Sequence, residues 1–97
     1  MSKNYVDMVV DRLRPLLDDC PDELLRLYAL VGLVKGPHIS ERDVHDAWAV
    51  WRTTTRPDHP DLLPFDLLTQ DVKAKDRLYV LAIWQAVEPT YVEEATP

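Results

Sequence analysis

Four side chains in this sequence have types and spacing that could do chemistry together. His45, Trp48 and Arg52 are separated by three and four residues, so on a helix an imidazole, an indole and a guanidinium share one face. The loop that follows returns His59, with a second aromatic residue, Phe65, toward the same helix end. An aromatic face flanked by cationic and hydrogen-bonding side chains can hold a nucleotide without a glycine-rich loop. In that arrangement Trp48 stacks the base, Arg52 pairs with phosphate, and His45 and His59 donate hydrogen bonds. The plainer alternative is that Trp48 and Trp51 simply fill the core, as aromatic residues at helical spacing usually do.

Other chemistries fit less well. Zinc wants fixed pairs such as two histidines at i and i+4, and His38, His45 and His59 lack that spacing. With one cysteine, Cys20, there is no disulfide and no thiolate cluster, so no metal or cofactor is expected. Ser40 reads as a helix cap rather than a nucleophile. Cys20 sits at a helix start that would lower its pKa, but nothing places a base beside it. The expectation is therefore a protein that is not an enzyme. A helix-turn-helix DNA reader could span residues 22–53. Its reading helix would carry Glu41, Asp43 and Asp46, with only Arg42 and Arg52 basic, which argues against it.

The elements that must position these groups are helical. Val6, Val9, Val10, Leu13, Leu16 and Leu17 recur at helical spacing over 4–18, with a kink or break expected at Pro15. A second helix starts at Pro21 and is apolar nearly all round from Leu24 to Val34, which predicts a central, buried element. Lys35-Gly36-Pro37 ends it. Ser40 and Asp43 form a capping-box variant opening a third helix, which reaches about Thr53 before a run of three threonines. Residues 56–68 make a long loop with Pro57, Pro60 and Pro64. Asp58 and Asp61 add turn chemistry, and Leu62, Leu63, Phe65, Leu67 and Leu68 predict that the loop is packed. Thr69 caps a fourth helix over 70–87, with a stripe of Val72, Tyr79, Ala82, Ile83, Ala86 and Val87. Lys73, Lys75 and Asp76 are assigned to its outer face, and Glu88-Pro89 is expected to stop it. Residues 90–97 form a flexible tail with Tyr91 and Val92 as its available anchors.

Composition narrows the partners. Seventeen acidic against eleven basic residues leave a formal charge of −6, which repels phosphate backbones and anionic lipid. No apolar run approaches the roughly 20 residues of a membrane span, and the N-terminus lacks a signal-peptide pattern. Two glycines exclude a Gly-rich phosphate loop. The expected setting is cytoplasmic.

Part of the chain resembles the ryanodine-receptor-type repeat (RyR) domain. The resemblance rests on His45-Asp46-Ala47-Trp48-Ala49, then Arg52, then the His59-to-Leu68 segment, then Lys75-Asp76-Arg77, and covers about residues 41–78. The segment between the Trp helix and the His-Pro loop is shorter here than in that family, and the first forty residues lie outside the match. The whole chain also resembles small actinobacterial and phage proteins. What the resemblance implies is a helical recognition module whose adenine-nucleotide pocket maps onto His45, Trp48, Arg52 and His59. Leu63, Pro64 and Phe65 would lock the loop to the core. The combined expectation is a single all-α domain over 1–97, a compact orthogonal bundle of about four helices with one long Pro-rich packed loop. Its expected role is non-enzymatic binding of a nucleotide-like small molecule, for sensing or sequestration. The competing role is a protein-interaction module or homodimer assembled through Trp51, Trp84 and Tyr91.

Overall fold

Asn4 starts the first helix, accepting from the Asp7 N–H at 2.9 Å while the Asp7 carboxylate accepts from the Asn4 N–H at 3.4 Å. In the computed structural model, which describes residues 3–95, this helix (α1) spans Tyr5–Leu13. Pro15 cannot extend it, and the chain turns with the Leu16 and Leu17 N–H groups both on the Leu13 carbonyl. Asp19 takes a left-handed backbone (φ 60°), a conformation aspartate tolerates better than most residues.

The second helix (α2) spans Asp22–Lys35, with Asp22 and Glu23 at its positive end and Lys35 at its negative end. It packs against α1 and the two helices that follow. Leu24, Leu25, Tyr28, Ala29 and Gly32 are buried, but Leu30 and Val34 are exposed. The helix is thus central and buried on most sides, as expected, and open on one face, because three neighbours cannot enclose a helix. At Gly36 (φ 58°) the chain enters a 3₁₀ turn over Gly36–His38. Pro37 has no N–H for the Leu33 carbonyl, and the Tyr91 hydroxyl donates to that carbonyl instead at 2.5 Å.

The third helix (α3) spans Glu41–Thr55, opened by the Ser40–Asp43 capping box. It runs past Thr53 to Thr55, with the threonine hydroxyls satisfied within the helix, Thr53 donating to the Ala49 carbonyl at 2.7 Å and Thr54 to the Trp51 carbonyl at 2.7 Å. In the following loop, Leu68 is buried and Leu62 and Phe65 are half-buried, whereas Leu63 and Leu67 are exposed. Only part of the expected apolar packing holds this loop.

The fourth helix (α4) spans Gln70–Ala95, with the Thr69 hydroxyl accepting from the Val72 N–H at 3.4 Å. The expected stop at Glu88-Pro89 is absent, and Pro89 lies inside the helix. Tertiary bonds hold the turn that proline weakens. Arg12 Nη1 donates to the Ala86 carbonyl at 3.2 Å and to the Thr90 hydroxyl at 3.4 Å. Thr90 and Tyr91, expected to begin a loose tail, are thus anchored in a helix; Thr96 and Pro97 lie outside the described residues, as does the side chain of Val92.

Four helices and no strand among the described residues make this an all-α bundle. Val9, Leu13, Val44, Ile83 and Val87 are fully enclosed at its centre. The helices pack tightly at Gly32, where an added Cβ would lie 2.6 Å from the Cγ2 atoms of both Ile83 and Val87. Only glycine lets α2 and α4 meet there.

Candidate functional site

The four residues singled out by type and spacing converge on one cavity of about 350 Å³ between α2, α3, α4 and the loop. Its size falls at the lower end of the range of small-molecule sites. Each of the four is held by a different local cause.

His45 is 2% exposed, and its Nε2 lies 2.6 Å from the Leu63 carbonyl oxygen. A carbonyl only accepts, so Nε2 carries the proton and, in the neutral ring, Nδ1 keeps a lone pair. This bond ties the loop to α3 where its leucines do not. Phe65 adds to the tie, with its ring 6.3 Å from that of His45 and cations from Arg42 and Lys73 at 5.4 and 5.3 Å.

Trp48 is half-buried on the cavity wall, between two imidazoles. His45 stacks on it at 5.6 Å (29°) and His59 meets it edge-on at 5.1 Å (83°). The indole is neither sealed in the core nor bare, and part of its surface is already occupied. His59 Nδ1 accepts from the Asp61 N–H at 3.0 Å, which leaves Nε2–H as its available donor. The two histidines therefore offer one lone pair and one N–H, rather than two donors.

Arg52 lies over Trp51, with its guanidinium carbon 4.8 Å from the ring centroid. Nη1 donates to the Thr55 hydroxyl at 3.2 Å, while Nε is buried without a hydrogen-bond partner. The Nε–Nη2 edge is the one that grips an oxyanion with two parallel N–H donors.

Sequence reasoning missed Asp76. It was assigned to the outer face of α4, but it lines the same cavity with Oδ2 buried and unpartnered. Burial pushes its carboxyl up to about 6; the His45 charge works against that shift and Glu41 adds to it. The signal was available, because Val72, Asp76, Tyr79 and Ile83 follow one another at four-, three- and four-residue steps, the spacing of a single buried stripe. Tyr28 and Tyr79, with rings 5.8 Å apart, complete the aromatic lining. Asp18, Asp19, Asp61 and Lys75 supply the remaining charge around it. Cys20 also lines the cavity, but burial and the Asp22 charge push its thiol up to about 11, opposite to the lowering expected at a helix start. It is a poor nucleophile.

A domain of unknown function, DUF7701, matches residues 4–88. The chain belongs to the DUF7701 family. No curated protein and no solved structure matches it. The match overturns the likeness to the ryanodine-receptor-type repeat, because no repeat of that type matches and the DUF7701 unit takes in the first forty residues that the likeness omitted. The shared residues have local explanations in the DUF7701 domain, where His45 and Phe65 fasten the shortened loop. The likeness to actinobacterial and phage proteins gains no support from this family either.

The competing assembly surface also moves. Trp51 lies under Arg52, and Trp84 is half-buried against Tyr91 at 5.9 Å, so these aromatics form no exposed patch. The apolar surface is elsewhere on the DUF7701 domain, where exposed Leu30, Val34 and Val50 line a groove of about 450 Å³ between α2 and α3. No helix among the described residues is long and apolar enough to cross a membrane.

Proposed function

We propose that this DUF7701 domain is a non-enzymatic, cytoplasmic binding module for a nucleotide-like small molecule, acting by sensing or sequestration. One observation carries the reading. An aromatic-walled cavity is lined by two side chains of opposite charge, Arg52 and Asp76, and no side-chain hydrogen bond or ion pair reaches Asp76 among the described residues. A ligand bearing both an anion and N–H donors would complement the pair.

The structure revises the roles assigned from sequence. Trp48 supplies a wall and a partly open ring edge, while Trp51, Tyr28 and Tyr79 share the aromatic contact. Arg52 binds the anion. His59 is the donor, and His45 fastens the loop and offers only a lone pair. Four carboxylates (Asp18, Asp19, Asp61, Asp76) against two fixed cations (Arg52, Lys75) disfavour a polyphosphate. A nucleoside monophosphate meets less of this repulsion than a polyphosphate and fits the volume.

Isothermal titration and thermal shift with nucleoside monophosphates, nucleosides and ATP test this directly. The reading expects a stabilising monophosphate, weaker binding of its nucleoside and of ATP, and loss of the monophosphate advantage in Arg52→Gln. A flat response to the whole panel refutes it. The α2–α3 groove supports a second reading, association with a protein partner or a second copy. Light scattering tests the self-association form, and a mass independent of concentration refutes that form.

A further inference from the structure

We propose that the α2–α3 groove is filled by a second copy of this chain in a head-to-tail contact, the exposed α4 ridge of Leu78 and Leu81 entering it with Arg77 beside Asp46. The inference rests on the second reading above, which it specifies, and uses no residue of the ligand cavity.

Two apolar surfaces of this small domain stand open, and they match in shape and charge. The groove is concave and almost wholly apolar, with Leu30, Val34 and Val50 exposed along it. Lys35 at its end is paired with Asp43 at 3.5 Å, which leaves Asp46 as the unmatched charge of the lining. Asp46 is exposed, no ion pair or side-chain hydrogen bond reaches it among the described residues, and Arg42, one turn before it, is bonded to Asp66 at 2.6 Å. The ridge is convex. Leu78 and Leu81 are 70% and 59% exposed and, three residues apart, share one face of α4. Arg77 lies one turn before Leu81, is exposed, and has no ion pair or side-chain hydrogen bond among the described residues. A helix that lays an apolar ridge into an apolar groove, with a cation set against an acid at the rim, is a recurring mode of recognition.

The bundle dictates how the copies must be arranged. Gly32 of α2 faces Ile83 and Val87 of α4. Leu30 and Val34 are each two residues from Gly32, about 200° round α2, so the groove opens away from α4. Leu81 is two residues from Ile83, about 200° round α4, so the ridge points away from α2. Groove and ridge therefore lie on opposite sides of the domain. One chain cannot fill its own groove, and two copies cannot make both contacts at once across a two-fold axis. The contact is heterologous, repeating as a short chain or closing as a ring. A groove-to-groove pair would instead set two concave faces and two unmatched carboxylates against each other.

Light scattering and sedimentation of the 97-residue chain from about 10 μM to about 1 mM, the range of a contact this small, test the arrangement. The expected mass rises with concentration in the wild type. It falls to that of the monomer both in Val50→Glu, which spoils the groove, and in Leu81→Glu, which spoils the ridge. Both positions are exposed, and circular dichroism confirms that each variant is folded. Mixing the two monomeric variants should give a one-to-one dimer and nothing larger, because the intact ridge of the first fits the intact groove of the second. Asp46→Arg should weaken wild-type association by about two- to fivefold, the range of an exposed ion pair, and adding Arg77→Glu to the same chain should restore it. Association that survives Leu81→Glu, a mixture that stays monomeric, or a double variant that fails to recover overturns the inference while leaving self-association standing. A wild-type mass independent of concentration overturns both.

Discussion

Removing the charge of Asp76 should stabilise the fold even as it damages recognition. In the folded protein the carboxyl titrates at about 6, against 3.8 for an ordinary aspartate, because burial disfavours its charged form. Between those values the folded protein holds a proton that the unfolded chain has released. Wild-type stability therefore rises as the pH falls through 6 toward 4, and the penalty is complete at neutral pH. A difference of about two pKa units corresponds to about 3 kcal/mol if fully felt. The side chain is only half-buried, and solvent screening reduces this to about 1 kcal/mol. For a domain of this size, about 1 kcal/mol moves the melting temperature by about 4–8 °C. Urea unfolding of wild type and Asp76→Asn, followed by far-UV circular dichroism, measures the gap. The variant should be more stable at pH 7.5, with the advantage narrowing steadily below pH 6. Asp11 and Asp22, both held low by exposed partners, are common to the two proteins and cancel. A variant no more stable than wild type at pH 7.5, or an advantage independent of pH, would refute the claim that the carboxylate is held at a cost.

Two further substitutions probe the frame around the site. Gly32→Ala gains about 1 kcal/mol of helix propensity, but its Cβ would meet the branched, enclosed Ile83 and Val87 at 2.6 Å. Overpacking of that kind costs about 1–3 kcal/mol, so equilibrium unfolding should show a net loss, and a gain would refute the close approach of α2 and α4. His45→Ala leaves the Leu63 carbonyl without its donor and opens a void beside Trp48. Stability should fall by about 2–3 kcal/mol, with amide hydrogen exchange quickening across residues 59–65 before it does so in α1 or α2.

Much of the fold was legible because its signals are local. The Ser40–Asp43 capping box, Gly36 at the end of α2 and Pro15 after α1 each act within a few residues, and each lies where the pattern placed it. The failures are long-range. Pro89 reads as a stop, and it is overridden by an Arg12 side chain more than seventy positions away in sequence. The α2 helix reads as buried on most sides, yet its uniform apolar pattern does not reveal that the face of Leu30 and Val34 is the one left open. The loop reads as locked by its leucines, whereas a hydrogen bond from His45 to a backbone carbonyl holds it, and no side-chain pattern encodes that bond.

The site divides along the same line. His45, Trp48 and Arg52 could be grouped because one helix carries all three, and His59 because it follows the end of that helix by only four residues. Asp76 required weighing an acid against the apolar stripe on which it sits, and the usual preference for solvating acids placed it outside. That preference fails where a carboxylate's partner is not part of the chain. An aspartate buried for stability would be expected to bring its own donor, as three other aspartates of this protein do: Asp11 with Lys3, Asp22 with Arg14 and Asp66 with Arg42. The enclosed Asp76 oxygen lacks one, although burial is what makes an unpaired charge expensive. The contrast within one small domain sets Asp76 apart, and it gives paired measurements their force. A structural aspartate would lose stability on replacement and leave selectivity untouched, whereas a ligand-reading aspartate should do the reverse on both counts.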